Sequence, residues 1–202
     1  GDLAALMRGE EVEVPVFDFL TGRRAKDSIV MRLHPDEPLI IEGIHALNPM
    51  LLNDDIDRDK LFRVYVSALT TLNIDDHNRI HTTDARLLRR LVRDYETRGA
   101  SMEHTLSMWP SVRRGEEKWI FPYQENADAL FNTTLVYEVS VLKKYVYPLL
   151  QEVPKESPCY AAARDITKVL NYFLDADGIE DEIPPTSILR EFIGGCTFYR
   201  KD

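Results

Sequence analysis

Along the first third of the chain, apolar residues alternate with polar ones or gather in short runs; from Asp84 onward they recur at helical spacing. Gly1 to Gly9 reads as the end of an amphipathic helix closed by Gly9, with no start signal in front of it. The valines and aromatics between Glu11 and Phe19, the Thr21-Gly22 turn and the segment Ser28 to Leu33 predict a β-hairpin. Leu39, Ile40 and Ile41 read as a short buried strand of the parallel-sheet kind, which places Glu42 at its carboxyl end. Asn48-Pro49 predicts a short helix, and Leu61 to Ser67 a second buried strand.

The helical period sets in at Asp84 and runs to Arg98, with Thr83 as N-cap and Gly99 as the stop. Ser101 caps a further helix that Pro110 is expected to end near Met108. Ala129 to Asn132 reads as a last short strand, followed by a helix from about Val136 to Gln151 with Val139, Leu142, Val146 and Leu149 on one face. Beyond Pro154 the pattern predicts a helix from Tyr160 to about Leu174, an acidic loop, and a short apolar segment from Ser187 to Ile193. The acidic loop lacks the ligand order of an EF-hand and reads as solvated. These elements give an α/β chain of two parts, residues 1–153 and a helical C-terminal extension 154–202.

Composition narrows the function. The 202 residues are 44% hydrophobic and carry a formal net charge of −9, which opposes general nucleic-acid binding because that needs a basic surface. Two cysteines, no signal peptide and no long apolar span suggest a cytoplasmic protein with no membrane partner. A carboxylate at a strand's carboxyl end suits magnesium and phosphate chemistry, yet no Gly-x-x-x-x-Gly-Lys-Ser/Thr loop occurs in these residues. The expectation is therefore the C-terminal portion of an enzyme, lacking its N-terminal half and inactive alone.

Charge is also unevenly spread. From Arg86 to Arg114 the chain holds seven arginines against three acids, although it is acidic elsewhere. On a helical wheel Leu87, Leu88, Leu91, Val92 and Tyr95 share a face, and Arg86, Arg89, Arg90 and Arg93 fall within roughly a 100° arc opposite. Guanidinium forks suit phosphate oxygens and the charge of a transferring phosphoryl group; the competing reading is an ordinary solvated face. Phe17 and Phe19, followed by Arg23 and Arg24, could cover an acceptor or simply pack. His77 and His81 have zinc-like spacing but lack a nearby third histidine or cysteine, and His45 is equally open between substrate contact and packing.

Three segments together resemble the uridine kinase and phosphoribulokinase family of P-loop kinases. Val14 to Arg24 resembles the hairpin over the nucleoside, Leu39 to Ile44 the acid-bearing strand, and Arg86 to Gly99 the lid helix. Trp109 to Lys118 and Ser187 to Gly195 resemble segments of longer bacterial uridine-kinase-like proteins. The resemblance implies a partial P-loop kinase core with parallel strands, a β-hairpin, an arginine-rich lid helix and a helical C-terminal extension. It implies ATP and Mg2+ as cofactors, with Glu42 and Arg90 catalytic, Glu42 near the metal, and Arg93 and Arg98 on nucleotide phosphates. Phe17, Phe19, Arg24 and Ile44 would bind the acceptor.

Four positions depart from ordinary uridine kinases. The hairpin tyrosine corresponds to Phe17, the hairpin histidine to Gly22, and the arginine and glutamine after the lid helix to Ala100 and Met108. The expected activity is thus ATP-dependent phosphoryl transfer to an alcohol group of a nucleoside-like or sugar-like small molecule. The alternatives are a phosphoribulokinase-like sugar kinase and a non-catalytic anion-binding regulatory module, and a homo-oligomer is compatible with either.

Overall fold

The structure, a computed structural model, describes residues 1–18, 23–51 and 56–198. The chain divides into two units, one comprising residues 1–65 and 116–129 and the other residues 66–115 and 130–202.

The first unit opens with helix α1 (Asp2–Met7), which ends at Gly9 in the left-handed conformation, φ 78°. Strands β1 (Val12–Asp18) and β2 (Arg23–Met31) then pair antiparallel, with a register shift between Pro15 and Phe17. The expected hairpin is therefore present, with β2 beginning earlier than its apolar run suggested; the Thr21-Gly22 turn lies outside the described residues.

The strand expected at Leu39 to Ile41 does not form: the backbone from Pro38 to Glu42 is irregular and Ile40 is 86% exposed. Apolar β-branched residues favour extended backbone, but a buried strand also needs hydrogen-bonded neighbours, and no described strand lies alongside. Asn48 does cap the following turn, its Oδ1 accepting from the Met50 amide (3.0 Å) ahead of the 3-10 helix Pro49–Leu51.

Strand β3 (Val64–Ser67) pairs with β4 (Ala129–Asn132). The Asp128 and Ala129 amides donate to the Arg63 carbonyl and the Thr133 amide to that of Ser67, so residue numbers rise together and the pair is parallel. Past the ladder, the Asn132 side chain extends it: Oδ1 accepts from the Leu69 amide (2.9 Å) while Nδ2 donates to the Leu69 carbonyl (3.0 Å).

The second unit holds the main core. Helix α2 (Thr82–Arg98) buries Leu87, Leu88, Leu91 and Val92, while Tyr95, at the margin of that stripe, is 43% exposed. Gly99 ends the helix at φ 61°. Helix α3 (Met102–Trp119) starts where Ser101 Oγ accepts from the His104 amide (3.2 Å), and it runs through Pro110 rather than stopping there. An internal proline costs about 3 kcal/mol, but it removes only one amide bond and leaves later residues free to continue. Helix α4 (Glu138–Gln151) presents Val139, Leu142 and Val146 to the same core.

Helices α5 (Tyr160–Leu170) and α6 (Arg190–Ile193) complete it. Leu170, Ile183, Leu189 and Phe192, all beyond Pro154, are buried in one cluster with the apolar face of α2. The acidic loop between α5 and α6 is tied to α4 by Lys143 to Asp175 (2.9 Å) and Lys144 to Glu180 (2.5 Å). Arg190 Nη2 donates to the carbonyls of Glu180 (2.5 Å) and Ile183 (2.7 Å), so the extension carries its own internal brace.

Candidate functional site

Four of the five arginines of α2 separate into two groups. Arg89 is buried: it pairs with Glu138 and donates through Nη2 to the Thr133 carbonyl (2.6 Å) and through Nη1 to Thr133 Oγ1 (3.1 Å). Its guanidinium also lies 5.6 Å from the centre of the Phe192 ring. The expectation that Arg89 shares a phosphate-facing arc is thus corrected, because a carboxylate, a carbonyl and a hydroxyl draw it inward at the edge of the apolar stripe. Burial pushes the Glu138 carboxyl above the ordinary carboxylate range, and the Arg89 charge and hydrogen bond oppose that shift.

The other group gathers on Asp94. Its carboxylate, on a residue only 4% exposed, meets Arg90 Nε at 3.1 Å, Arg93 Nε at 3.5 Å and Arg98 Nη1 at 3.1 Å. Arg90 and Arg98 stand one helical turn either side of Asp94, the spacing at which helix side chains meet. Thr105 Oγ1 approaches the same carboxylate at 3.5 Å from α3. Arg90, Arg93 and Arg98, three of the sequence-predicted residues, are therefore brought together by one acid that sequence reasoning counted but did not single out. The signal was present: an acid set four residues from an arginine on each side.

In the first unit, Phe17 and Arg24 are direct cross-strand partners in the hairpin, and Phe17 is 52% exposed. Phe19 lies outside the described residues. Glu42 is exposed, Gly43 follows at φ 154°, and Ile44 is 69% exposed. A single accessible carboxylate fits magnesium, which keeps several waters and is commonly held by one or two carboxylates together with substrate phosphates. A cavity of about 570 Å³ in this unit is lined by Leu3, Leu6, Met7, Leu39, Ile41 and Leu61 among others. Glu42 is not among its lining residues, which also include Arg8, His34, Glu37 and Lys60. His77 and His81 form no metal cluster among the described residues; Asp75 instead accepts from the His77 and Asn78 amides (2.8 and 2.7 Å) in a tight turn.

Comparison with known proteins shows the family. The model of the Phosphoribulokinase / Uridine kinase family matches residues 2–140. The uridine kinases of Staphylococcus epidermidis and Staphylococcus aureus are each 32% identical over 130 residues, covering 64% of this chain and 54% of theirs. That of Chlamydia pneumoniae is 32% identical over 130 residues, covering 64% of this chain and 50% of its own. The chain spans about half the length of the curated relatives it matches. With that match covering residues 2–140 of its 202, the chain belongs to the phosphoribulokinase and uridine kinase family.

Proposed function

We propose that this chain supplies the acceptor hairpin, an acid and the arginine lid of an ATP-dependent, cytoplasmic uridine-kinase-like phosphotransferase. The observation that carries the reading is the grouping of Arg90, Arg93 and Arg98 around one carboxylate on a helix of a kinase-family chain. Guanidinium groups so assembled match the charge of a transferring phosphoryl group and the oxygens of nucleotide phosphates. Arg90 is read as the contact to the transferred phosphoryl, Arg93 and Arg98 as holders of nucleotide phosphates, and Glu42 as the acid near Mg2+. When bound, Mg2+ would neutralise phosphate charge. Phe17, Phe19, Arg24 and Ile44 are read as acceptor-binding, and the segment after Pro154 as a helical extension to the kinase part.

Phosphoryl transfer also needs a phosphate-binding loop that these residues do not carry, so the activity is assigned to a protein in which another segment provides it. The acceptor is an alcohol on a nucleoside-like or sugar-like small molecule. Phe17, Gly22, Ala100 and Met108 offer none of the side-chain polar groups that read a pyrimidine edge in ordinary uridine kinases, which favours keeping a phosphorylated sugar as a second reading.

The test is ADP formation by the full-length protein with pyrimidine nucleosides, purine nucleosides, pentoses and pentose phosphates. Acceptor-dependent turnover that falls about 10³-fold in Arg90→Ala or Arg93→Ala, with folding intact, is the expected result. Absence of transfer to every acceptor, or unchanged turnover in both variants, would overturn the reading.

A further inference from the structure

We infer that Asp94 is a positioning residue: it is the internal counter-charge that holds Arg90, Arg93 and Arg98 together as a preassembled polyphosphate site. The inference rests on reading those arginines as phosphate ligands and adds to it the group that assembles them. An acid near the C-terminal end of a helix faces the negative end of the dipole, and burial further penalises its charge. Among the described residues the three arginines and Thr105 offset both costs. Three cations sharing one anion leave a surplus of two positive charges, which a polyphosphate can neutralise.

The contacts also have the right character. Asp94 meets Arg90 and Arg93 at Nε, and both Nε groups are buried without an aligned hydrogen bond, so these are charge contacts rather than directed ones. Nε contact leaves the outer Nη edge of each fork for bidentate approach of an oxyanion. Among the described residues no acid other than Asp94 pairs with either arginine. Arg98 is more firmly tied, through a true hydrogen bond from Nη1. The backbone carbonyl of Asp94 meanwhile accepts from the Gly99 and Ala100 amides, so the carboxylate stands on the fixed end of α2. Losing the charge should therefore scatter the arginines without melting the helix.

Electrostatics and positioning predict opposite signs, which makes the test sharp. Asp94→Asn raises the local positive charge, so if only net charge mattered, inorganic tripolyphosphate would bind the 202-residue chain more tightly. If Asp94 positions the arginines, affinity falls by about tenfold or more, equivalent to about 1.4 kcal/mol. Calorimetric titration of tripolyphosphate at fixed ionic strength reads this. Side-chain NMR of the Arg Nε groups supplies an independent readout: signals of Arg90, Arg93 and Arg98 should collapse toward those of free arginine while that of Arg89 stays in place. Asp94→Glu, which keeps the charge but displaces it, should bind with intermediate affinity and covers the case in which the amide variant fails to fold. Equal or tighter binding by Asp94→Asn would overturn the inference, as would failure of the parent chain to bind tripolyphosphate. Acceptor-dependent turnover of the full-length protein judges the kinase reading separately.

Discussion

Arg89 and Glu138 form an ion pair inside the second unit, joining the middle of α2 to the first residue of α4. Both residues are buried, Glu138 to 1% exposure, and Glu138 Oε1 has no hydrogen-bond partner among the described residues. Buried pairs of this kind are costly to form and costlier to break. Glu138→Gln, which strands the Arg89 charge, should destabilise the chain by about 3–5 kcal/mol in urea denaturation. The double change Arg89→Met with Glu138→Leu should recover most of that loss. Destabilisation of the double variant equal to the sum of Arg89→Met and Glu138→Leu measured singly would show that the two residues act independently.

Asp84, in the first turn of α2, has its carboxyl raised above the ordinary aspartate range by burial, against smaller opposing effects of His81 and Thr83. A group that binds its proton more tightly when folded makes stability fall as pH rises from the ordinary value through the raised one. Asp84→Asn should flatten that part of the profile. Denaturation midpoints of parent and variant at several pH values between 3 and 7, at about constant ionic strength, would test this, and identical pH slopes would remove Asp84 from the account.

Leu189 is fully buried and Phe192 nearly so, in the same cluster as the apolar stripe of α2. Leu189→Ala should cost about 2–5 kcal/mol, the range for a buried leucine that leaves a cavity. Hydrogen exchange should show faster opening of α2 amides, not only those of α6. Loss of protection confined to residues after Pro154 would mean that the extension packs without supporting the arginine helix.

Glu42→Gln in the full-length protein keeps shape and removes charge at an exposed position. Phosphoryl transfer should fall sharply and its magnesium dependence weaken, while thermal stability stays within about 1 kcal/mol of the parent. An unchanged magnesium titration with normal activity would discard Glu42 as a reacting-site residue.

Periodicity made the helices and the hairpin readable because each depends on neighbours close in sequence. The arginine helix shows where that stops. A helical wheel separates Leu88 from Arg89 by angle alone, and it cannot register that Thr133 and Glu138, more than forty residues away, offer three acceptors to one guanidinium. Leu39 to Ile41 failed for a related reason: an apolar run has strand propensity, but its realisation depends on partners that no local pattern specifies. Asp94 was legible through its i±4 arginines, yet its burial against α3 came only with the packing of Thr105.

The amide of Asn132 has a consequence in chemical ageing. Its donor and acceptor face the Leu69 carbonyl and amide in a closed ring, so the strand end reads the difference between an amide and an acid at a single atom. Hydrolysis of that amide to a carboxylate would set an oxygen against the Leu69 carbonyl, exchanging an attraction for a repulsion at the step where β4 turns toward Thr133 and the Arg89 anchor. One slow, spontaneous reaction would thereby loosen α2 at its Thr133 anchor with no change in any residue of the helix itself.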